Sequence, residues 1–482
     1  MLTCMFRHVN SDTSLLTPRR QRLLLAAVVS GLLLAMLDQT IVGTALPAIV
    51  RDLDGWSLYL WVVTAYLVPA TVALPVYARL SDRFGSRDLL LVGMVLFLAG
   101  SALAASAQDM TQLIAWRGLQ GLGAGALEGL SFILVADLYA GRRSAALQGM
   151  LAGLMGLSFI AGPLVGGFLA DHVGWRWAFL VNLPIGAAAL AVVATVLPRS
   201  IGRSERRGAP LDIAGITLLT GAVGFLLVGL NGHTRTPSWA EPQTGGLIAA
   251  ALLLLWAFVA VERRAASPIV PLRLFADRRT AALLLAGATG AFGLFAGVLL
   301  LPRYFQGVRD VSATHSGLLI YPLLIGLVVG VNLAGAMIVK RGEYRTPILW
   351  GLGVAALGGL GFATFDSSTP DWQSLVFMGL IGLGVGPVLS GLQIALQRTV
   401  APASIGAAMG TLLLLRQVGA SVALASAETV YAAGLPHGSE ATATGTAVSV
   451  VVLAGALVAA AALVSLPRAA TRFSLAPAPA PA

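Results

Sequence analysis

Fourteen stretches of roughly 20 predominantly apolar residues follow one another along this 482-residue chain. About 20 such residues are needed for a helix to cross the ~30 Å hydrocarbon core of a bilayer. A chain there must satisfy its backbone groups without water, which leaves the helix as the natural spanning element. The stretches lie near 22–50, 57–79, 88–107, 111–135, 146–170, 177–197, 211–231, 245–262, 280–302, 314–337, 346–365, 372–395, 405–433 and 444–466. An all-α membrane protein is therefore expected. Charge scarcity agrees: 11% of residues are charged, against roughly 25% in soluble proteins. A soluble surface and a disordered chain both need more. The first stretch exceeds the ~7–15-residue core of a signal peptide and no cleavage site follows it, so it reads as a retained span. Residues 1–20 and the Ala-Pro repeat at 475–482 read as disordered tails.

The positions of the basic residues test the span count. With the N-terminus in the cytoplasm, 24 of the 31 Lys and Arg residues fall in cytoplasmic segments, five in outer segments, and two, Arg117 and Arg416, within spans. Cytoplasmic loops favour Lys and Arg, and a single miscounted span would destroy this alternation. Fourteen spans with both termini inside follow. The formal charge of +10 thus reflects topology, and no nucleic-acid partner is expected. Cys4 is the only cysteine, so no intrachain disulfide exists, and the five histidines show no metal-ligand spacing.

Two cytoplasmic loops resemble each other. Residues 78–85 (Ala-Arg-Leu-Ser-Asp-Arg-Phe-Gly) follow span 2, and residues 335–342 (Gly-Ala-Met-Ile-Val-Lys-Arg-Gly) follow span 10. Both are short, basic and glycine-terminated. This suggests two six-span halves with spans 7 and 8 inserted, an arrangement that many secondary transporters use to build a central site. The expected organisation is a tail at 1–21, a six-helix bundle at 22–197, a linker with two extra helices at 198–279, a second bundle at 280–466, and a tail at 467–482.

Ionisable groups within spans are functional candidates, because charge in lipid is costly. Asp38 lies 16 residues into span 1, about 24 Å from the cytoplasmic edge at 1.5 Å per residue. Arg117 and Arg416 come out about 20 Å and 18 Å from that edge on the same rule. The three share a layer, so Asp38 can pair with Arg117 or Arg416 across a central cavity and load and release protons. Glu128 follows Arg117 by 11 residues, which returns it to the same helix face about 15 Å nearer the cytoplasm. A second proton site, a counter-charge for a cationic substrate and a solvated rim residue all remain open for it. Glu428, toward the outer end of span 13, reads as an interfacial or vestibule residue. Trp61, Trp175 and Trp177 read as an aromatic belt.

Several segments, taken in order, resemble the fourteen-span drug/proton antiporter branch of the major facilitator superfamily. Span 1 carries Leu37-Asp38-Gln39-Thr40-Ile41-Val42-Gly43-Thr44-Ala45-Leu46-Pro47, with Gly43 where the branch usually has Asn. Span 2 carries Trp61-Val62-Val63-Thr64-Ala65-Tyr66. The loop at 78–87 is similar to the superfamily's motif between spans 2 and 3, with Ala78 replacing a Gly. Span 4 carries Arg117-Gly118-Leu119-Gln120-Gly121-Leu122-Gly123, and span 5 carries Gly162-Pro163-Leu164-Val165-Gly166-Gly167. Trp175-Arg176-Trp177-Ala178-Phe179, Asn182-Leu183-Pro184-Ile185-Gly186 and Arg416-Gln417-Val418-Gly419-Ala420-Ser421 complete the series. The match covers about residues 30–425.

This resemblance implies two six-helix bundles plus two inserted helices, a monomer, and a multidrug-type efflux transporter driven by the proton gradient with no cofactor. It implies a conformational latch at Asp82, Arg83, Gly85 and Arg87, with Gly85 at a tight turn and Asp82 at a helix N-terminus. It implies an antiporter motif at Gly153, Gly162, Pro163, Gly166 and Gly167. The partners would be protons, a small amphipathic substrate and the lipid of the cell (inner or plasma) membrane. Export or flipping of a lipid, glycolipid or secondary metabolite is the alternative on the same fold. An enzyme is not expected: no nucleophile–base pair, metal cluster or sizeable soluble segment is present, and no phosphate-binding lysine motif follows a strand.

Overall fold

Long apolar runs without helix breakers become long helices here. The computed structural model describes residues 17–139, 147, 151, 158, 161–198, 212–233, 245–265, 270, 272–366, 368–400 and 405–467. Their regular elements are all helical. Helix α1 (Pro18–Asp52) opens at Thr17, whose hydroxyl accepts the Arg20 backbone N–H while Pro18 occupies the first turn. There follow α2 (Tyr59–Phe84), α3 (Ser86–Ala105) and α4 (Met110–Leu138), the last capped by Asp109 on the Gln112 N–H at 2.8 Å. Residues 161–168 are helical, and a turn at Trp177–Leu180 leads into α5 (Asn182–Val196). Then come α6 (Ile213–His233), α7 (Leu247–Glu262), α8 (Arg278–Thr289), α9 (Phe292–Gly307), α10 (Tyr321–Arg341), α11 (Arg345–Phe362), α12 (Asp371–Thr399), α13 (Ile405–Gly434) and α14 (Glu440–Val464). Most of the expected span at 146–170 lies outside the described residues.

Among the described residues, nine helices are long and apolar enough to cross a membrane, and Trp61–Leu74, Ile213–Leu226 and Leu247–Glu262 are shorter apolar segments. Large apolar side chains stand out from the protein: Ile213, Trp256 and Leu457 are 68%, 70% and 72% exposed. Water would penalise that surface and lipid does not. The ninth apolar stretch, read as one span, is broken. α8 stops at Gly290 and α9 restarts at Phe292, within a 30-residue segment.

The α8 start is held by Asp277, whose carboxylate accepts the Thr280 N–H at 3.1 Å, the Thr280 hydroxyl at 2.7 Å and the Arg279 N–H at 3.4 Å. Burial alone raises the Asp277 pKa, but the bonds from Thr280 and Arg279 outweigh it and hold the group below its ordinary 3.8. A depressed folded-state pKa contributes stability that is complete above the unfolded value and is lost as pH falls through the folded one. Asp277→Ala is therefore expected to cost about 1 kcal/mol at pH 7. The deficit should shrink in acid below the ordinary carboxylate range, as read from apparent melting temperatures at the two pH values.

Two compact units divide the chain: Met1–Gly224 with Leu253–Ile269 and Ser312–Thr314, and Phe225–Leu252 with Val270–Val311 and His315–Ala482. Each has the same internal arrangement. In the first, α4 packs on α2 and α3. In the second, α12 packs on α10 and α11. A Gly-Leu-Gly sequence makes both close approaches. A Cβ at Gly121 would overlap the Tyr66 carbonyl of α2 and one at Gly123 the Phe97 backbone of α3. Gly382 and Gly384 stand likewise against Leu323 of α10 and Ala355 of α11. Small residues are what bring membrane helices together, since lipid offers no hydrophobic drive for association. The two similar loops also match. Gly85, at φ 91°, ends α2 by donating its N–H to Ser81, and Gly342, at φ 61°, ends α10 by donating to Ile338. Glycine adopts such positive φ without a Cβ penalty.

Candidate functional site

Five helices of the first unit bring polar side chains to one dry point around Asp38 of α1. Asp38, Gln120, Ser101 and Asn182 are fully buried, Arg117 is 1% exposed and Glu128 is 2% exposed. Arg117 Nη1 makes a short ion pair with Asp38 Oδ2. The other carboxylate oxygen, Oδ1, accepts from Gln120 Nε2 at 2.8 Å and from Asn182 Nδ2 at 3.1 Å. Both amides also donate to Ser101 Oγ, at 3.0 Å and 2.8 Å, and that hydroxyl donates to the Phe179 carbonyl at 3.1 Å.

The guanidinium is fixed as tightly as the carboxylate. Nη1 also reaches Gln120 Oε1 at 2.8 Å, and Nε donates to the Val62 carbonyl at 3.3 Å. The group lies 4.1 Å from the centre of the Tyr66 ring, whose hydroxyl is anchored on the Ala35 carbonyl at 2.9 Å. A cation over an aromatic face in a desolvated site is worth about 2 kcal/mol. Such a pair offsets its own desolvation only when the remaining lone pairs and protons are also satisfied. Here the amides supply that. The arrangement can hold a carboxylate as an anion out of water, and it makes that anion's charge the element on which Arg117 depends.

Glu128, about 16 Å along α4 from Arg117, is tied to α1 beside Asp38: Gln39 donates from Nε2 to Glu128 Oε1 at 3.1 Å. Its burial removes the solvated-rim reading. Arg416 belongs to the other unit. It lies on α13 in the second unit, and its one hydrogen bond runs from Nη2 to the Leu389 carbonyl at 3.5 Å. Within the first unit the pairing expected for Asp38 is made with Arg117. Among the described residues, the second unit has no equivalent cluster at the matching positions. Relative to the matched glycines, α12 carries buried Met378 and Ile381 where α4 has Arg117 and Gln120.

Glu428, read as an interfacial or vestibule residue, has a basic partner. It bonds Arg303 Nη1 at 3.0 Å, both groups are largely buried, and Arg303 lies 4.3 Å from the Tyr431 ring centre. Trp175 is no belt residue. It is 5% exposed and donates Nε1 to Asp52 Oδ2 at 2.9 Å, while Trp177 is 48% exposed.

The residues of the expected latch separate. Asp82 and Arg83 lie in the last turn of α2, so Asp82 is not at a helix N-terminus; Gly85 makes the turn. Arg87 ties the start of α3 to the end of α5 through the Ala194 carbonyl at 2.6 Å, and bonds Asp88 at 3.1 Å. A cation there meets the negative end of the α5 dipole. Of the antiporter motif, Gly153 lies outside the described residues. Gly162 and Gly166 abut α1 at Thr40 and Ile41, one turn from Asp38, and Gly167 abuts Ala313. Pro163 is buried in the same helical segment.

Gln120, Asn182 and Ser101 carry no ionisable group and so do not stand out in the sequence as Asp38 and Arg117 do. The available signal was spacing: Gln120 follows Arg117 by three residues, on the same helix face. Asn182 is an amide at the mouth of an otherwise apolar run.

Membrane-length helices in two similarly packed units, with a charged cluster buried in one, define a polytopic membrane transporter. The chain belongs to the Major Facilitator Superfamily, whose model matches residues 28–424. It is similar to Multidrug transporter protein MdtP of Bacillus subtilis (strain 168), 36% identical over 397 residues that make up 81% of this chain and 72% of that protein. It is also similar to Multidrug resistance protein 3 of the same organism, 33% identical over 414 residues, 85% of this chain and 79% of that one. These relatives bear out the resemblance to the drug-antiporter branch. A POT family peptide transporter structure shares the fold, with a TM-score of 0.68 at 14% identity over 93% of this chain and 98% of that chain.

Proposed function

We propose that this protein exports small amphipathic organic compounds in exchange for protons by alternating access. It would work as a monomer in the cell (inner or plasma) membrane, with both termini in the cytoplasm and the proton gradient in place of any cofactor. The observation that carries the reading is Asp38: a carboxylate sealed from water, within a span, against a single guanidinium. Protonation removes the charge that holds Arg117 and weakens the bonds from Gln120 and Asn182. Five helices meet at that point, so a single proton changes how strongly they are held together. Glu128, linked through Gln39, is placed to sense the same change. Gly162 and Gly166, on the segment that abuts α1, set how closely that helix approaches.

The test uses inverted membrane vesicles. An imposed proton gradient is expected to drive accumulation of an amphipathic dye, and an ionophore that exchanges protons for potassium is expected to abolish it. Accumulation that survives the ionophore would remove proton coupling. Movement of a labelled phospholipid between leaflets, without dye transport, would instead favour the lipid-exporting reading.

A further inference from the structure

Arg416 is the second of the two basic residues placed within spans by sequence, and the structure leaves it unused. Arg117 has an ion pair, an amide, a backbone carbonyl and an aromatic face. Among the described residues, Arg416 makes one hydrogen bond, 3.5 Å to the Leu389 carbonyl, longer than the about 2.7–3.2 Å of an ordinary N–H···O bond. Its Nε is buried and has no hydrogen-bond partner. No acidic side chain among the described residues forms an ion pair with it. It is the twelfth residue of α13, about 17 Å from that helix's start at 1.5 Å per residue and so near the middle of a ~30 Å core. Lys340 and Arg341 at the end of α10, by contrast, are exposed.

A guanidinium at that depth with an idle Nε edge is expensive and marks a substrate path. Its planar fork fits an oxyanion taken by two parallel N–H···O bonds, and a carboxylate is the less heavily charged of the two common ones, carboxylate and phosphate, to bring to that depth. We propose that Arg416 is a substrate-recognition residue and that the exported compounds are amphipaths bearing a carboxylate, which docks on it. This deepens the export reading above and rests on it for the word substrate. The alternative role for Arg416, as a partner of Asp38 at another stage of the cycle, predicts sensitivity to every substrate alike.

The experiment measures equilibrium binding to the purified full chain in neutral detergent micelles by fluorescence polarisation. The probes are 6-carboxyfluorescein, which is anionic, and rhodamine 6G, a cationic ester of similar ring size. Arg416→Gln is expected to weaken carboxyfluorescein binding roughly 10- to 100-fold, as loss of a charge-assisted bidentate contact implies, and to leave rhodamine 6G within about twofold. Arg416→Lys should fall between, keeping the charge and losing the fork. Undetectable carboxyfluorescein binding in the wild type overturns the proposal, as does equal binding in wild type and Arg416→Gln, or equal weakening of both dyes. Binding needs no gradient. If carboxyfluorescein binds through Arg416 while no gradient-driven uptake is found, the export reading falls and the anion site stands.

Discussion

Asp38→Asn is expected to abolish gradient-driven accumulation while leaving the protein folded and able to exchange substrate across the membrane. One pH unit is about 1.36 kcal/mol per proton. A gradient of ~2 units with one proton per substrate therefore supports accumulation of about 100-fold, and the variant should fall to about 1-fold. Asn is nearly isosteric with Asp. Its oxygen can still accept from Arg117, while its new amide group faces the donors of Gln120 and Asn182. What Asn cannot do is gain or lose a proton. Downhill exchange of labelled for unlabelled dye in proteoliposomes is the control that separates loss of coupling from loss of fold. Asp38→Asn vesicles that accumulate dye as wild type does would remove Asp38 from the coupling role.

The second large effect concerns stability, and its sign depends on how many partners are removed. Asp38→Leu alone leaves the Arg117 guanidinium buried without its anion. Arg117→Met alone leaves the carboxylate in the same position. Breaking a buried pair from one side costs about 3–5 kcal/mol, which at about 2–4 °C per kcal/mol lowers an apparent melting temperature by roughly 10 °C. The double variant Asp38→Leu/Arg117→Met removes both charges together. It is expected to melt above either single variant, because the desolvation penalty of both ions disappears with them. Additive losses would show that the two groups are held independently. The double variant should still fail to couple, since a packed apolar pair carries no proton. Such a protein would separate what the cluster does for the fold from what it does for transport.

Asp38, Arg117 and Arg416 were legible as three charges at one depth because depth along a helix follows from residue number and a fixed rise. Glu128 was legible in part, since 11 residues return the chain to one helix face. That it is buried and linked through Gln39 depends on how α1 and α4 are set side by side, which no single-helix rule contains. That Arg117 reaches Asp38 likewise depends on how α1 and α4 pack within the first unit, since equal depth only makes a residue eligible. Gln120, Asn182 and Ser101 escaped because a neutral polar group in an apolar run carries little signal by itself. Its weight comes from the charge it is brought to serve.

Trp175 and Glu428 show the converse. Their chain positions place both near an interface, where a tryptophan or a carboxylate is ordinary. Asp52 and Arg303 draw them inward. Gly121, Gly123, Gly382 and Gly384 mark both sides of the matter: the chain displays the repeated Gly-Leu-Gly, while the helices it brings together are visible only in three dimensions.

Taken alone, the chain determined that it spans a bilayer as helices, because lipid admits few other ways to satisfy a backbone and the apolar runs have the required length. It also determined which few charges stand at depth, because charge is scarce enough there for each instance to be counted. Tertiary structure alone decided what those charges touch. Asp38 received Arg117 and two amides, Glu128 received Gln39, and Arg416 received one long contact and a buried, idle Nε. Helix periodicity acts over a few residues and is written in the sequence. The partner of a buried charge comes from a helix dozens of residues away, and the packing of whole helices selects it.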